Sequence, residues 1–234
     1  MHVIAVASQK GGSGETTLAG HIAVQAELAG AGPVAVIDTD PQASLADWWK
    51  ERVEATPVFM RTTASTLADD IQRLREHDIQ LVVIDTPPAV VDAIGQVVRV
   101  ADLVVVPTRP SPHDLRAVGA SVDLIEAQNK PLVFVVNGAT PRARVTSEIA
   151  IALSQHGTVS PAVIHQWVAF ASSMTYGRTV MEVSGQALAS EEIAKLWTYL
   201  DERLNKNQRR KTFLPLGEIL TAASRAFGYG QARA

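Results

Sequence analysis

The chain has 234 residues, 47% of them hydrophobic and 19% charged, which is typical of a globular protein with one large core. The formal net charge of −3 excludes a strongly basic nucleic-acid binder, so any such binding must come from a local cluster of cations. The sequence contains no cysteine, which excludes disulfides and cysteine-ligated iron–sulfur clusters. Neither a signal peptide nor an apolar run of about 20 residues is visible, so a cytoplasmic protein is expected.

The first predicted elements are a buried strand over residues 3–7 and a helix that ends at Gly30. The helix is indicated by apolar residues on one face: Leu18, Ile22, Ala26 and Ala29. A glycine-rich loop joins the two elements. This layout is typical of a phosphate-binding site, because glycines let backbone N–H groups approach a polyphosphate and a helix N-terminus favours negative charge.

The loop departs from the usual phosphate-binding pattern at two positions. Residues 8–17 read SQKGGSGETT. In the usual pattern a lysine that binds phosphate stands directly before a hydroxyl that reaches Mg²⁺. The hydroxyl is present as Thr16, but the lysine position is Glu15, and Gln9 replaces the first glycine. An ordinary tight loop is the alternative, and the motifs that follow in order along the chain argue against it.

Four further apolar, β-branched runs alternate with helical segments. They cover residues 34–37, 81–84, 103–106 and 132–136. Each is nearly continuous, as in strands that are buried on both faces of a parallel sheet. The pattern predicts an α/β fold, a doubly wound and mostly parallel sheet flanked by helices, as in P-loop NTPases.

Polar residues follow these strands where ligands bind in such sheets. Asp38 and Asp40 follow the second run, Asp85 follows the third, and Asn137 follows the last. A carboxylate beside a phosphate loop can hold a magnesium-bound water or orient an attacking water. Any one of these aspartates could instead cap a helix or form a turn.

The segment KGGSGETT resembles the deviant Walker A loop of the ParA/MinD ATPases in every fixed position except Glu15. The resemblance covers roughly residues 1–200, and it implies ATP or ADP and Mg²⁺ as cofactors. It implies that Lys10 acts across a homodimer interface on the partner's nucleotide, and that Asp40 orients the hydrolytic water. The positions implied to contact nucleotide are Gly11, Gly12, Ser13, Gly14, Glu15, Thr16, Thr17 and, at the adenine, Asn137. The positions implied to organise Mg²⁺ are Thr16, Asp38 and Asp85.

Two positions depart from the family pattern. Glu15 places a negative charge among phosphate oxygens, which could cost several kcal/mol before relaxation, at about 4 kcal/mol per unit pair at 4 Å. We expect Glu15 to relax toward solvent or to pair with Lys10, and we interpret it as a change that impairs hydrolysis. Trp167 lies where relatives often carry an arginine, which puts DNA binding through that segment in doubt.

The end of the chain is basic. We predict a domain over residues 1–204 and a basic, helical tail over residues 205–234. The candidate DNA-binding residues are Arg178, Arg203, Lys206, Arg209, Arg210 and Lys211, with Arg142 and Arg144 as additional candidates. A solvated helix end is the alternative for the tail. Apolar residues then recur at helical spacing, at Leu216, Ile219, Leu220, Ala223 and Phe227, and predict either a packing helix or an amphipathic membrane anchor.

The resemblance implies a ParA-type positioning ATPase. Such a protein would dimerise on ATP, bind nonspecific DNA at the nucleoid and respond to a ParB-like partner. Gly177, Val180 and Glu182 resemble a late element of the same family, and the short chain resembles its small ParA-type subgroup. One alternative hypothesis is a MinD-like regulator at a membrane surface, although the predicted C-terminal helix carries few cations for anionic lipid. The other is a metabolic P-loop enzyme related to dethiobiotin synthetase.

Overall fold

The apolar runs form the centre of one parallel sheet with helices on both faces. A computed structural model describes residues 1–63, 65–87 and 91–212, and it describes side-chain surroundings as far as residue 206. Within these residues the strands are β1 (His2–Val6), β2 (Val34–Asp38), β3 (Val58–Arg61), β4 (Leu81–Asp85), β5 (Leu103–Thr108), β6 (Leu132–Ala139), β7 (Thr158–Val159) and β8 (Ile164–His165). The helices are α1 (Glu15–Leu28), α2 (Ser44–Lys50), α3 (Leu67–Glu76), α4 (Val91–Val100), α5 (Pro112–Glu126), α6 (Arg144–Ser154), α7 (Val168–Met174) and α8 (Ala187–Thr212).

The strand order across the sheet is β3-β2-β4-β1-β5-β6-β7, and β8 also pairs with β6. Every pairing is parallel, so the carboxyl ends of the strands lie at one edge. Val6 and Asp38 are both in register with Asp85. The fold predicted from the sequence is confirmed, and it brings the loop after β1 next to two of the predicted aspartates.

The two faces of the sheet explain why the strand sequences are continuously apolar. In β1, Ile4 and Val6 belong to the core under α1 and α8, whereas Val3 and Ala5 belong to the core under α3, α4, α5 and α6. Alternate side chains of one strand therefore enter different cores, and both sets must be apolar. In α1 the predicted face is buried except for Ala29, which is the exposed C-cap residue.

The sequence did not indicate three short strands at the margins. β3 is an edge strand whose residues are exposed or only partly buried, and β7 and β8 have two residues each. Without a continuous buried run, such strands carry little hydrophobic signal. They form through pairing with β2 and β6.

Helix α8 continues past the predicted boundary at residue 204 as far as Thr212. Its buried residues Leu196, Leu200 and Leu204 pack in the same core as α1. The division between a domain and a tail therefore falls inside one helix, and that division stays a prediction. The predicted helix with Leu216 and Phe227 lies outside the described residues, and among the described ones no helix combines the length and apolarity needed to cross a bilayer.

Candidate nucleotide-binding site

The loop after β1 has the backbone of a phosphate-binding loop. It leads directly into α1, with Gly14 as the N-cap residue at a φ of 96°. A Cβ atom at Gly14 would lie 2.3 Å from Nδ2 of Asn137. Because side chains rarely adopt this φ and this space is filled, only glycine fits here. The predicted order of strand, glycine-rich loop and helix is confirmed, and the phosphate contacts of the loop stay a prediction.

Glu15 is turned into the loop. Its side chain is buried, with the residue 6% exposed, and its carboxyl accepts a hydrogen bond from the Ser13 hydroxyl. Burial raises the pKa of Glu15 to about 7, and the charge of Asp40 adds to the rise. The expectation that Glu15 would turn to solvent or pair with Lys10 is wrong, because the carboxyl has an internal partner.

Lys10 forms an ion pair with a residue of its own chain. Its Nζ lies 2.7 Å from Oδ2 of Asp114, with side chains 38% and 8% exposed, respectively. Asp114 is in the first turn of α5, where its N–H donates to the Ser111 hydroxyl. Burial acts to raise the pKa of Asp114, but the hydrogen bonds from Lys10 and Ser111 hold it below its usual value. The sequence did not indicate Asp114, although the Ser-Pro start of α5 is a recognisable helix N-terminus.

Thr16 and Asp85 form the part of the site that suits Mg²⁺. Thr16 Oγ1 donates to Asp85 Oδ2 at 2.6 Å. Burial raises the pKa of Asp85 well above its usual range, and the charges of Asp38, Glu15 and Asp40 add to this. The other oxygen, Oδ1, is buried and has no hydrogen-bond partner among the described atoms. A buried carboxylate oxygen without a partner beside a hydroxyl fits a hard cation.

Asp38 and Asp40 organise the chain between β2 and α2. Asp38 accepts hydrogen bonds from the N–H groups of Asp40 and Ala46, both at 2.9 Å, and burial raises its pKa. Asp40 accepts from the N–H of Gln42 at 2.9 Å. Both aspartates therefore form turns through these hydrogen bonds, as the sequence allowed for any aspartate after a strand. These turns keep both carboxyl groups beside the loop.

A cavity of about 780 Å³ opens beside the loop. Its walls include Thr16 and Asp40 from the predicted site, Asp47 and Trp48, which the sequence did not indicate, and Arg109, which follows the apolar run over residues 103–106 but had no predicted role. These three residues lie on α2 and after β5, and only the packing of those elements brings them to the loop.

Asn137 lies against the loop, with Nδ2 donating to the Ser13 carbonyl at 2.6 Å. Its implied contact with adenine stays a prediction.

The segment that resembles the late family element holds the chain after α2 in place. We call the contacts of Gly177 and Glu182 with residues 51 and 52 the clamp. A Cβ at Gly177, whose φ is 66°, would lie 2.3 Å from the backbone of Glu51. Glu182 caps the short helix that starts after Thr179 and forms an ion pair with Arg52 at 2.8 Å. The clamp therefore fixes the end of α2, and with it the cavity wall, to the segment after α7.

The candidate DNA-binding residues lie on different elements. Arg178 follows α7 and is exposed, Lys206 on α8 is exposed, and Arg203 packs on the Tyr199 ring and donates to its hydroxyl. Arg209, Arg210 and Lys211 belong to α8, but their side chains lie outside the described ones. Of the additional candidates, Arg142 is exposed, and Arg144 pairs with Glu148 at 3.1 Å.

Trp167 is partly buried, and its indole N–H donates to Glu192 on α8 at 3.1 Å. His165 bonds to the same carboxylate at 2.7 Å. The tryptophan therefore packs against α8 in this structure.

Residues 4–180, more than half of the chain, match the family described as CobQ/CobB/MinD/ParA nucleotide binding domain. The chain belongs to this family, and the enzyme class predicted from the sequence, an ATPase of the ParA/MinD type, is confirmed at that level.

Two relatives extend over most of the chain. The maintenance of carboxysome distribution protein A of Halothiobacillus neapolitanus is 30% identical over 209 residues, covering 82% of this chain and 93% of that protein. Protein ParA of Rhizobium radiobacter is 27% identical over 192 residues, covering 76% and 84%.

Two solved structures share the fold. An ATP complex of a Cyanothece McdA variant has a TM-score of 0.71 at 15% identity, covering 89% of this chain and 96% of its own. MinD of Pyrococcus horikoshii with Mg-ADP has a TM-score of 0.69 at 15% identity, covering 88% and 98%. The ligands of these two proteins agree with the predicted cofactors, ATP or ADP with Mg²⁺.

Proposed function

We propose that this chain is a ParA-type positioning protein whose own phosphate loop is impaired by Glu15. The observation that carries the proposal is the buried Glu15 carboxyl at the lysine position of an otherwise formed phosphate loop. A carboxylate there opposes the phosphate charge that the loop and the helix N-terminus favour. Family membership and the name ParA of one relative support the positioning role, and the name of the other, a protein that maintains carboxysome distribution, favours a protein assembly as cargo.

The roles of the site residues follow from their positions. Thr16, Asp38 and Asp85 would hold Mg²⁺, which when bound neutralises phosphate charge. Asp40, on the cavity wall, would orient the attacking water. Lys10 would leave Asp114 and complete the site of a second subunit in an ATP-dependent homodimer.

The proposed dimer binds nonspecific DNA in the nucleoid and releases it when a ParB-like partner stimulates hydrolysis. The cationic end of α8, with Arg178, supplies the phosphate contacts. A cytoplasmic location is part of the same proposal.

Titration of ATP and of ADP onto the chain and onto Glu15→Lys tests the site. We expect affinity at least tenfold higher for Glu15→Lys, since removing one repulsion and adding one attraction exceeds about 1.4 kcal/mol. Equal affinities would mean that Glu15 does not disable the loop.

DNA binding is tested in the Glu15→Lys background with ATP. Arg209→Ala/Arg210→Ala/Lys211→Ala should flatten the slope of log K against log salt by roughly 2 to 3 units, because each lost phosphate contact removes about 0.9. Arg75→Ala/Arg99→Ala, which removes exposed cations on α3 and α4, is the control. An unchanged slope in the triple variant removes the tail from the DNA surface. Binding to anionic liposomes and not to DNA, lost on Phe227→Asp, would favour the MinD-like alternative.

A further inference from the structure

Negative charge is concentrated at the start of α1, where a phosphate-binding site needs positive charge. Four carboxyl groups contribute: Glu15, Asp38, Asp40 and Asp85. The charges of the other three act on Asp85, which is 1% exposed. The cation of the loop, Lys10, is bonded to Asp114 instead. The carboxyl groups therefore lack the counter-charge that the family loop provides.

Two cations line the cavity, Lys50 and Arg109, and both interact with carboxyl groups outside this set of four. Lys50 is paired with Asp47 at 2.7 Å. The charge of Arg109 acts on Asp114, at the start of α5. Among the described side chains, neither cation forms an ion pair with the four carboxyl groups. The two carboxyl groups with the least access to water, Glu15 and Asp85, therefore depend on protons or on a bound cation for neutralisation within the described part of the chain.

Asp85 supplies an independent indication of a cation. Its Oδ1 is buried and has no hydrogen-bond partner among the described atoms, while Oδ2 accepts from Thr16 at 2.6 Å. Leaving a buried carboxylate oxygen unsatisfied is unfavourable, and a divalent cation would satisfy it. The threonine hydroxyl beside it is a second hard oxygen ligand.

In a nucleotide complex, phosphate groups would supply the anionic oxygens beside a threonine–aspartate pair such as Thr16 and Asp85. Mg²⁺ is usually bound by one or two carboxylates together with substrate phosphates and water. The Glu15 carboxyl is buried at the helix N-terminus, beside Thr16 on the same cavity. We propose that Glu15, Thr16 and Asp85 bind a hard divalent cation such as Mg²⁺ in the absence of nucleotide, with Glu15 in the role of the phosphate.

The proposed site is an open one. No three acidic, histidine or cysteine side chains in the described part of the chain converge as a complete metal cage. Two carboxylates and one hydroxyl therefore share the ion with water molecules, as Mg²⁺ favours. The consequence is a loop that binds a metal ion in the absence of ATP.

A titration of the nucleotide-free, full-length chain with Mn²⁺, with free ion followed by electron paramagnetic resonance, tests this proposal. We expect one saturable site from which Mg²⁺ displaces Mn²⁺. Glu15→Gln, which keeps size and removes charge, should weaken binding roughly tenfold or more. Asp85→Asn should do the same. Asp47→Asn removes an exposed carboxyl on the cavity wall and should leave the affinity unchanged.

The outcomes separate this proposal from the proposed function, because no nucleotide is present. A parent chain without a saturable site, or Glu15→Gln with the parent affinity, overturns the proposal. If Glu15→Gln does not fold, as judged by circular dichroism, Glu15→Lys takes its place. That variant restores the family residue and should abolish Mn²⁺ binding, and retention of parent affinity in it overturns the proposal equally. The ATP titration above can succeed or fail independently.

Discussion

The ammonium nitrogen of Lys10 lies 2.7 Å from Oδ2 of Asp114, and this ion pair joins the phosphate loop to the first turn of α5 in the same chain. A lysine that is to act on a second subunit must first leave this partner. Asp114 is buried, so its separation from Lys10 leaves a carboxylate whose remaining side-chain hydrogen bond among the described residues comes from the Ser111 hydroxyl. The pair would therefore oppose closure of the proposed dimer.

Weakening this pair should favour the dimer. In the Glu15→Lys background, Asp114→Asn should lower the ATP concentration needed for half-maximal dimerisation about fivefold, since an ion pair with a partly exposed lysine is worth about 1 kcal/mol. Light scattering measures the dimer. Asp123→Asn, which removes an exposed carboxyl from the same helix, is the matched control. If Asp114→Asn and Asp123→Asn behave alike, the pair does not oppose closure; if the Glu15→Lys parent itself stays monomeric with ATP, the proposed dimer is wrong.

The lysine position should control hydrolysis. We expect this chain to hydrolyse ATP at least a hundredfold more slowly than Glu15→Lys, because a loss of about 2.7 kcal/mol of transition-state stabilisation already gives that factor. Phosphate release at saturating ATP measures the difference. Glu15→Gln removes the negative charge without adding a positive one, so it should remain slow. Equal turnover numbers for the chain and Glu15→Lys would falsify the assignment of Glu15 as the disabling residue.

His21 should make stability depend on pH. The imidazole is fully buried, with Nδ1 2.7 Å from the Thr17 carbonyl and Nε2 accepting from the Val180 N–H at 3.2 Å. The carbonyl requires a proton on Nδ1 and the N–H requires none on Nε2, so the neutral ring fits. Burial lowers its pKa from 6.5 to about 4.

Between these two pKa values the unfolded chain binds a proton that the folded chain does not, so stability is complete above pH 6.5 and falls as the pH drops toward 4. From pH 7 to pH 5 the loss due to His21 should be about 2 kcal/mol. Urea unfolding at both pH values measures it. Over this pH change the free energy of unfolding of His21→Gln should fall by that amount less than the parent's. His113→Gln, at an exposed position, should show the same fall as the parent. Identical pH dependence in parent and His21→Gln would show that His21 is not the titrating group.

Arg52 should be critical for the clamp. Its side chain is 2% exposed, pairs with Glu182, donates to the Gly177 carbonyl at 2.9 Å and lies over the Trp48 ring at 4.8 Å. Arg52→Met would remove the ion-pair partner of the Glu182 carboxylate, which keeps its hydrogen bonds from Thr179. It would also remove the donor to two backbone carbonyls, and should lower the free energy of unfolding by about 3 kcal/mol.

Thermal or urea unfolding measures this loss. Arg75→Met, at an exposed arginine on α3, should change stability by less than about 0.5 kcal/mol. Arg52 donates to the backbone carbonyls of Gly177 and Thr56 as well as to the carboxylate. Arg52→Lys should recover only part of the loss, because a lysine lacks the planar group that reaches all three acceptors. A loss in Arg52→Met no larger than in Arg75→Met would contradict a structural clamp.

The sequence alone determined the central strands, the loop and the aspartates beside it. The five strands are buried on both faces, so their apolar runs are nearly continuous and carry a strong signal. The loop is local, because its glycines, Thr16 and the start of α1 follow one another along the chain. The position of Asp38 and Asp85 at one edge then follows from parallel pairing, which the alternation of strands and helices already indicated.

Only the tertiary structure decided which partners these residues have. Asp114 reaches Lys10, Arg52 reaches Glu182 and Asn137 reaches the loop across elements that are distant in the chain, and no local pattern records such contacts. The orientation of Glu15 was open in the sequence for the same reason. The sequence suggested that its side chain reaches solvent or Lys10, whereas in the structure it is buried and bonds to the Ser13 hydroxyl.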